Sequence, residues 1–163
     1  MSLSAFWKKA ITAIAGIIFL IIAVRYGVPA IFEMRYYANI RHRNPYIPKS
    51  ATKIHIWSDK IWDFHGDGTL FITFICSEED IIKLIDRFDR FIKNKKIGML
   101  DQKAVNTISG LNANVAKEYL PDTKKPYYYY CFGESQWGLN SIYYQLYIIN
   151  SEEKKFWLFE YSN

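Results

Sequence analysis

The chain has 163 residues, of which half are hydrophobic and 18% aromatic, and its formal net charge is +5. That length suits one domain plus an attachment, and the composition excludes a disordered or collagen-like protein. Residues 1–50 hold seven Lys/Arg and one acid, which leaves 14 of the 21 basic and 15 of the 16 acidic residues in the remainder. Since a near-neutral body lacks the clustered cations that phosphate binding needs, nucleic acid is not an expected partner.

An uncharged run, "AITAIAGIIFLIIAV", covers residues 10–24 and is apolar all round a helix. It is shorter than the roughly 20 residues of a bilayer span, but apolar neighbours can extend it. The residues around it are typical of a membrane interface: Trp7, Lys8, Lys9, Arg25 and Tyr26. We therefore predict an N-terminal membrane anchor over residues 1–32, as a transmembrane helix or an export signal, with a buried core helix as the alternative.

Cleavage of this segment is not expected. Val28-Pro29-Ala30 has small residues in a cleavage-like spacing, but Arg25 and Pro29 fit a signal peptidase site badly. The basic head before the apolar run favours a cytoplasmic N-terminus, although arginines after the run oppose it. We predict a retained signal-anchor in the inner (cell) membrane with the globular domain outside the cytoplasm.

Residues 33–50 form a basic, polar segment that is broken by Pro45 and Pro48. The pattern predicts an extended stalk. Its arginines could also contact anionic lipid headgroups, at about 1 kcal/mol each.

Residues 51–163 are predicted to form one α+β domain. Alternating residues indicate a strand in "SATKIHIW", residues 50–57, and a central strand in "TLFITFIC", residues 69–76. The clearest element is a helix in residues 77–96, with Ser77 as its capping residue. It is predicted because its apolar residues recur every three or four positions.

The second half of the domain is predicted to hold one or two short helices within residues 101–120, ended by Pro121, and then sheet. Three strands are expected at 127–132, 141–149 and 155–161, the last two as a hairpin. The fold class is thus α+β: the N-terminal helix, then an antiparallel sheet of about five strands with one long and one or two short helices, covered by helix on one face.

The stretch around Asp63 and Asp67 resembles the start of a calcium loop, D-x-[DN]-x-[DN]-G. A bidentate Glu should then stand at position 12, which is Phe74, and the flanks read as strands and not helices. An Asp-Gly turn at Gly68 explains the stretch better. His42, His55 and His65 lack metal-ligand spacing, so neither a metal nor another cofactor is predicted.

Cys76 and Cys131 each fall in a predicted strand and are a candidate disulfide if the domain is exported; otherwise they are small buried thiols. No G-x-S-x-G, P-loop or G-x-G-x-x-G motif is present. We therefore expect a protein that is not an enzyme, with an envelope hydrolase or thiol enzyme using Cys131 or His55 as the alternative.

Aromatic residues of the predicted strands suggest a candidate partner-binding surface. Strand alternation places them together on the face opposite the predicted core: Trp57, Tyr143, Tyr147, Trp157 and Tyr161. They either pack under the second helical segment and loops or form an exposed patch of the kind that dominates protein interfaces.

Three segments, "IPKSATKIHIW" (47–57), "TLFITFICSEEDI" (69–81) and "YIINSEEKKFWLFEYSN" (147–163), resemble small uncharacterised bacterial cell-envelope proteins. In those proteins a Leu/Ile-Pro-x-Ser-Ala segment follows an N-terminal anchor or lipoprotein signal, and the chain ends in an aromatic hairpin. The lipobox cysteine is missing here. The resemblance implies a compartment and a topology, and no reaction.

These patterns predict a single-pass membrane-anchored protein whose extracytoplasmic domain binds another protein. An immunity or exclusion factor, or an accessory of an envelope complex, would suit this build. A cytoplasm-facing regulatory domain on the same anchor is the other alternative. The sequence does not indicate an oligomeric state.

Overall fold

The computed structural model describes residues 3–60, 68–92, 95–111, 114–135 and 142–162. The chain divides into two compact units, Met1–Asn44 and Pro45–Asn163. The first is helical, and the second holds a sheet and the remaining helices.

The N-terminal unit is one helix in three parts: α1 (Leu3–Ile22), a π-helical turn (Ala23–Gly27) and α2 (Val28–Arg43). The stretch Ile11–Arg43 is long and apolar enough to cross a membrane, with a mean hydropathy of 2.2 in its apolar part, and none of that part is buried. Arg25 and Tyr26, which were predicted at the membrane interface, lie in the π-helical turn, and Trp7 is exposed. The side chains of Lys8 and Lys9 lie outside the described ones.

The predicted extended stalk over 33–50 is wrong for its first eleven residues, because α2 continues to Arg43. No proline interrupts this part, and its last turn carries Arg41, His42 and Arg43, which suit the negative end of a helix dipole. The helix ends where Pro45 disfavours a helical conformation in Asn44, whose backbone is extended.

In the described part of the second unit the sheet has six strands, where about five were predicted. In chain order they are β1 (Thr52–Ser58), β2 (Gly68–Ile75), β3 (Lys95–Met99), β4 (Pro126–Ser135), β5 (Ile142–Asn150) and β6 (Lys155–Ser162). Their order in the sheet is β1-β2-β6-β5-β4-β3, and every neighbouring pair is antiparallel. The α+β class, the hairpin of β5 and β6 and the three C-terminal strands are confirmed.

Two capped helices cross the sheet: α3 (Glu78–Phe91) and α4 (Gln102–Gly110), the latter followed by a 3₁₀ turn at Lys117–Tyr119. The predicted cap of α3 is confirmed, since the Ser77 hydroxyl accepts a hydrogen bond of 3.2 Å from the Asp80 amide. Asp101 caps α4 in the same way. The helix predicted over 77–96 is too long, because Lys95 and Lys96 belong to β3, the strand that was not predicted.

Helices cover both faces of the sheet, whereas one covered face was predicted. On the α3 face, Phe88 of α3 packs on three strand residues, Tyr130, Tyr147 and Phe156. On the α4 face, Ala104 and Ile108 of α4 pack in a core with residues such as Phe71 and Trp157. The domain is therefore a three-layer arrangement with a buried sheet.

β1 and β2 pair antiparallel, and Gly68 begins β2 with φ +120, but the predicted Asp-Gly turn includes Asp67, which lies outside the described residues. A Cβ atom there would come 2.5 Å from the Asp59 carboxylate, which accepts a hydrogen bond from the Thr69 amide. Only glycine fits this position without strain. The calcium-like residues Asp63, His65 and Asp67 lie outside the described residues.

Candidate functional site

The five aromatic residues predicted to form one patch divide between the two faces of the sheet. Tyr147 contacts Phe88 on the α3 face, and Tyr143 lies on the same strand, an even number of residues before it. The other three lie on the α4 face: Trp57 opposite Phe71, Trp157 opposite Ile148 and Tyr161 opposite Tyr144. Directly opposed residues of antiparallel strands share a face, so the predicted grouping of β5 with β6 was one residue out of register.

Burial also removes the centre of the predicted patch. Tyr147 is 1% exposed and Trp157 is 2% exposed. The Trp157 indole Nε1 donates a hydrogen bond of 2.8 Å to the Tyr119 carbonyl beneath the second helical segment. A single aromatic partner-binding surface is therefore wrong, and Trp157 follows the alternative of packing under that segment.

Cys76 and Cys131 are free thiols, so the candidate disulfide is not formed, and Cys76 follows the alternative of a small buried thiol. Cys76 directly follows β2, and β6 and β5 separate that strand from β4, which holds Cys131. Three strand spacings amount to about 14 Å, whereas a disulfide requires Cα atoms within about 7 Å. Burial raises the pKa of the Cys76 thiol to about 11, which makes it a poor nucleophile at neutral pH.

His55 does not meet Cys131 either. It lies on the edge strand β1, four strand positions from β4, or about 19 Å across the sheet. Its ring stacks on Tyr119 with centroids 3.9 Å apart, and burial lowers its pKa. A thiol–imidazole pair of the kind that activates a cysteine is therefore not formed by these two residues. Among the described residues, no group of three or more His, Cys, Asp or Glu could hold a metal ion.

A polar cluster that was not predicted from the sequence lies on the face of the sheet that α3 covers. Its members are Tyr46, Lys60, Tyr143, Gln145, Tyr147 and Glu160. The Lys60 ammonium lies 2.7 Å from Glu160 Oε1, and these side chains are only 12% and 20% exposed. Glu160 Oε2 accepts hydrogen bonds from Gln145 Nε2 at 2.8 Å and from the Tyr143 hydroxyl at 3.3 Å. We call this group the Glu160 cluster.

The hydrogen-bond donors of the Glu160 cluster hold the carboxylate in place. Burial, and next the Glu160 charge, raise the pKa of Tyr143, and burial raises the pKa of Tyr147, so both hydroxyls stay protonated. Both Glu160 oxygens already accept a hydrogen bond or an ion pair. The geometry is that of a structural network that fixes β5, β6 and Lys60 together.

The segment after α2 is fastened to this face of the domain. The Tyr46 ring lies 5.4 Å from Phe88 and 5.3 Å from Tyr147, and the Arg87 guanidinium stacks on it at 5.0 Å. Arg87 Nη1 also donates a hydrogen bond of 2.9 Å to the Pro45 carbonyl. The second half of the predicted stalk is thus part of the folded domain.

The two edges of the sheet differ. At the β1 edge, Lys53 has φ +48 and the register with β2 shifts between Thr52 and His55, an irregularity that blunts an edge against pairing. At the other edge lies β3, where Gly98 also has a positive φ, of +129, but all five residues pair with β4 in unbroken register. Ile97 and Met99 of this strand are 68% and 56% exposed.

The exposed side of β3 borders a cleft. Its volume is about 440 Å³, and it is lined by Ile97, Tyr128, Ile149 and the turn between β5 and β6. The two lysines of β3 are matched by acids of the same domain: Lys95 lies 2.6 Å from Asp89, and Lys96 lies 2.5 Å from Asp101. We define strand Lys95–Met99, with its exposed Ile97 and Met99, as the β3 edge. An exposed edge with an unbroken register, apolar side chains and neutralised lysines is suited to pairing with another strand.

Comparison with protein-family models, with curated proteins and with solved structures finds no match for this chain. A functional proposal therefore depends on the apolar helix and the β3 edge.

Proposed function

We propose that this chain is a single-pass membrane protein whose folded domain binds another protein through the β3 edge. The observation that carries the proposal is the helix Ile11–Arg43, whose apolar part contains no buried residue. Exposing apolar surface to water costs about 25 cal/mol per Å². A lipid bilayer removes that cost, and a helix of this length can span it.

Protein binding is supported by the edge that the fold leaves accessible. Helices cover both faces of the sheet, and the β1 edge is irregular. The β3 edge presents main-chain groups together with Ile97 and Met99, which is the arrangement used when a partner adds a strand to a sheet. The alternative, a hydrolase or thiol enzyme that uses Cys131 and His55, is not supported, because these two described residues lie far apart in the sheet.

The finer assignment is an inner-membrane signal-anchor with the domain in the periplasm. Lys8 and Lys9 before the apolar run and the resemblance to bacterial envelope proteins support it. An immunity or exclusion factor, or an accessory of an envelope complex, would act from this position. The competing orientation is a regulator that faces the cytoplasm on the same anchor.

Membrane attachment is tested by placing charge in the apolar helix. Replacing Ile17 and Ile21 with arginine raises the free energy of helix insertion by about 2.5–3.5 kcal/mol for each arginine near the centre of a bilayer. We expect the unaltered chain to stay with the membrane pellet through an alkaline wash and the Ile17→Arg/Ile21→Arg chain to move to the supernatant. The control, Ile82→Arg/Phe91→Arg, puts the same charge on exposed positions of α3 and should leave the chain in the pellet. An unaltered chain in the soluble fraction without detergent would refute the anchor.

Orientation is tested with a reporter enzyme that becomes active only outside the cytoplasm, joined after Asn163. We expect activity from this fusion, because a signal-anchor exports the part of the chain that is C-terminal to its helix. A matched fusion joined before Trp7 should be inactive. The reverse pattern would assign the domain to the cytoplasm and leave protein binding as the function there.

A further inference from the structure

We propose that the partner at the β3 edge is the β3 strand of a second copy of this chain, so that two six-stranded sheets join into one. This inference rests on the proposed function, since it names the occupant of the same surface. In a symmetric pair the two strands run antiparallel about a two-fold axis, and each makes the same contacts as its copy.

Symmetry restricts the register of such a pair. Directly opposed residues must point to the same face, so one residue has to face its own copy. With Ile97 at the centre, all five residues of β3 find partners: Ile97 opposes Ile97, Lys96 opposes Gly98 and Lys95 opposes Met99. A centre at Lys96 would oppose two ammonium groups, and a centre at Gly98 would pair only three residues of the strand.

The side chains fit the register centred on Ile97. The two copies of Ile97 meet on the α3 face, where each is now 68% exposed. On the other face Lys96 lies over Gly98, and a Cβ at Gly98 would meet nothing within 4 Å, so there is room for the lysine stem. Gly98 has φ +129, a conformation that glycine adopts without strain, and it still pairs with Tyr127, so the register between β3 and β4 is unbroken. Asp89 and Asp101 neutralise the lysines within each copy.

The opposite edge favours a closed dimer over a fibre. If both edges could pair, sheets would add without limit. The register of β1 shifts between Thr52 and His55, which opposes that addition, whereas the register of β3 is unbroken. Anchoring in a membrane would also raise the effective concentration of the copies, so a short strand is enough to pair them.

The decisive experiment is oxidation of single-cysteine additions in the full chain in isolated membranes. In the proposed register the two copies of Ile97→Cys have Cα atoms about 4.5–5.5 Å apart, within disulfide reach. The matched control is Lys96→Cys, whose copies are offset by two residues and lie about 8 Å apart, beyond the limit of about 7 Å. We expect about tenfold more disulfide-linked dimer from Ile97→Cys than from Lys96→Cys. The unaltered chain, with Cys76 and Cys131 in place, sets the baseline.

A second variant tests the same contact without a disulfide. Ile97→Lys places two ammonium groups opposite each other, and we expect it to weaken dimerisation of the detergent-solubilised chain at least about fivefold in sedimentation measurements. Ile82→Lys makes the same change at an exposed isoleucine of α3 and should keep the dimer.

The outcomes separate the two proposals. A linked dimer with Ile97→Cys alone supports self-pairing. An Ile97→Cys product that contains a different protein, without the dimer, overturns self-pairing and leaves the proposed function standing. Self-pairing is overturned if the two cysteine variants form equal amounts of disulfide-linked dimer. It is also overturned if neither variant forms a linked dimer and the solubilised chain sediments as a monomer. If a photocrosslinking side chain at position 97, which needs no cysteine in the partner, captures no other protein either, binding through the β3 edge falls as well.

Discussion

Replacing Phe88 with alanine is expected to lower the free energy of unfolding by about 3–5 kcal/mol, the usual cost of removing a buried phenylalanine. Phe88 is 2% exposed, and its ring centroid lies 4.5 Å from that of Tyr147 and 5.3 Å from that of Tyr130. Tyr46 packs against it from the segment that follows α2, at 5.4 Å. The substitution therefore opens a cavity where helix, sheet and the Tyr46 segment meet.

The measurement is equilibrium urea unfolding of the full chain in detergent, followed by tryptophan fluorescence. A matched control exists one turn later on the same helix, where Phe91 is 77% exposed. Phe91→Ala should change the free energy of unfolding by no more than about 0.5 kcal/mol. Similar losses for both variants would mean that α3 does not bury Phe88 as described.

The α3 region also illustrates how far local sequence patterns predict structure. Ser77 and the three- and four-residue spacing of apolar residues predicted α3 and its cap, because a cap and a helix period are local properties. The end of α3 was not predictable in that way. Lys95 and Lys96 look like helix-terminal cations, yet they pair with Tyr130 and Tyr129 of β4, a contact that depends on the strand order.

Face assignment shows a second limit. Strand alternation correctly grouped Tyr143 with Tyr147, because residues an even number of positions apart on a strand share a face. Strand alternation alone could not predict whether Trp157 of β6 shares a face with Tyr143 and Tyr147 of β5. That depends on the register between β5 and β6, which the turn and the packing determine. The apolar, aromatic composition of β6 is typical of a strand covered on both faces, and β6 indeed lies in the middle of the sheet. The Glu160 cluster had one local signal, the polar Gln145 and Glu160 within otherwise apolar strands.

The second large effect is expected at Glu160. Glu160→Gln should lower the free energy of unfolding by about 2–3 kcal/mol, because it leaves the Lys60 ammonium with little solvent and no opposing carboxylate. That ammonium is 12% exposed and lies 2.7 Å from Glu160 Oε1. The measurement is again urea unfolding of the full chain. The control is Glu153→Gln, which breaks the Lys125–Glu153 pair of the same 2.7 Å length at 51% and 44% exposure. It should cost less than about 1 kcal/mol.

A double variant separates the unpaired charge from the hydrogen bonds. Lys60→Met/Glu160→Gln keeps an amide oxygen for the Gln145 and Tyr143 donors and removes the ammonium. If the isolated charge causes the loss, the double variant should recover to within about 1 kcal/mol of the unaltered chain, since a buried pair is often replaceable by neutral groups. A double variant as unstable as Glu160→Gln would instead assign the loss to the hydrogen bonds of the carboxylate. Because these bonds join β5 to β6, the cluster would then stabilise the sheet through geometry and not through charge balance.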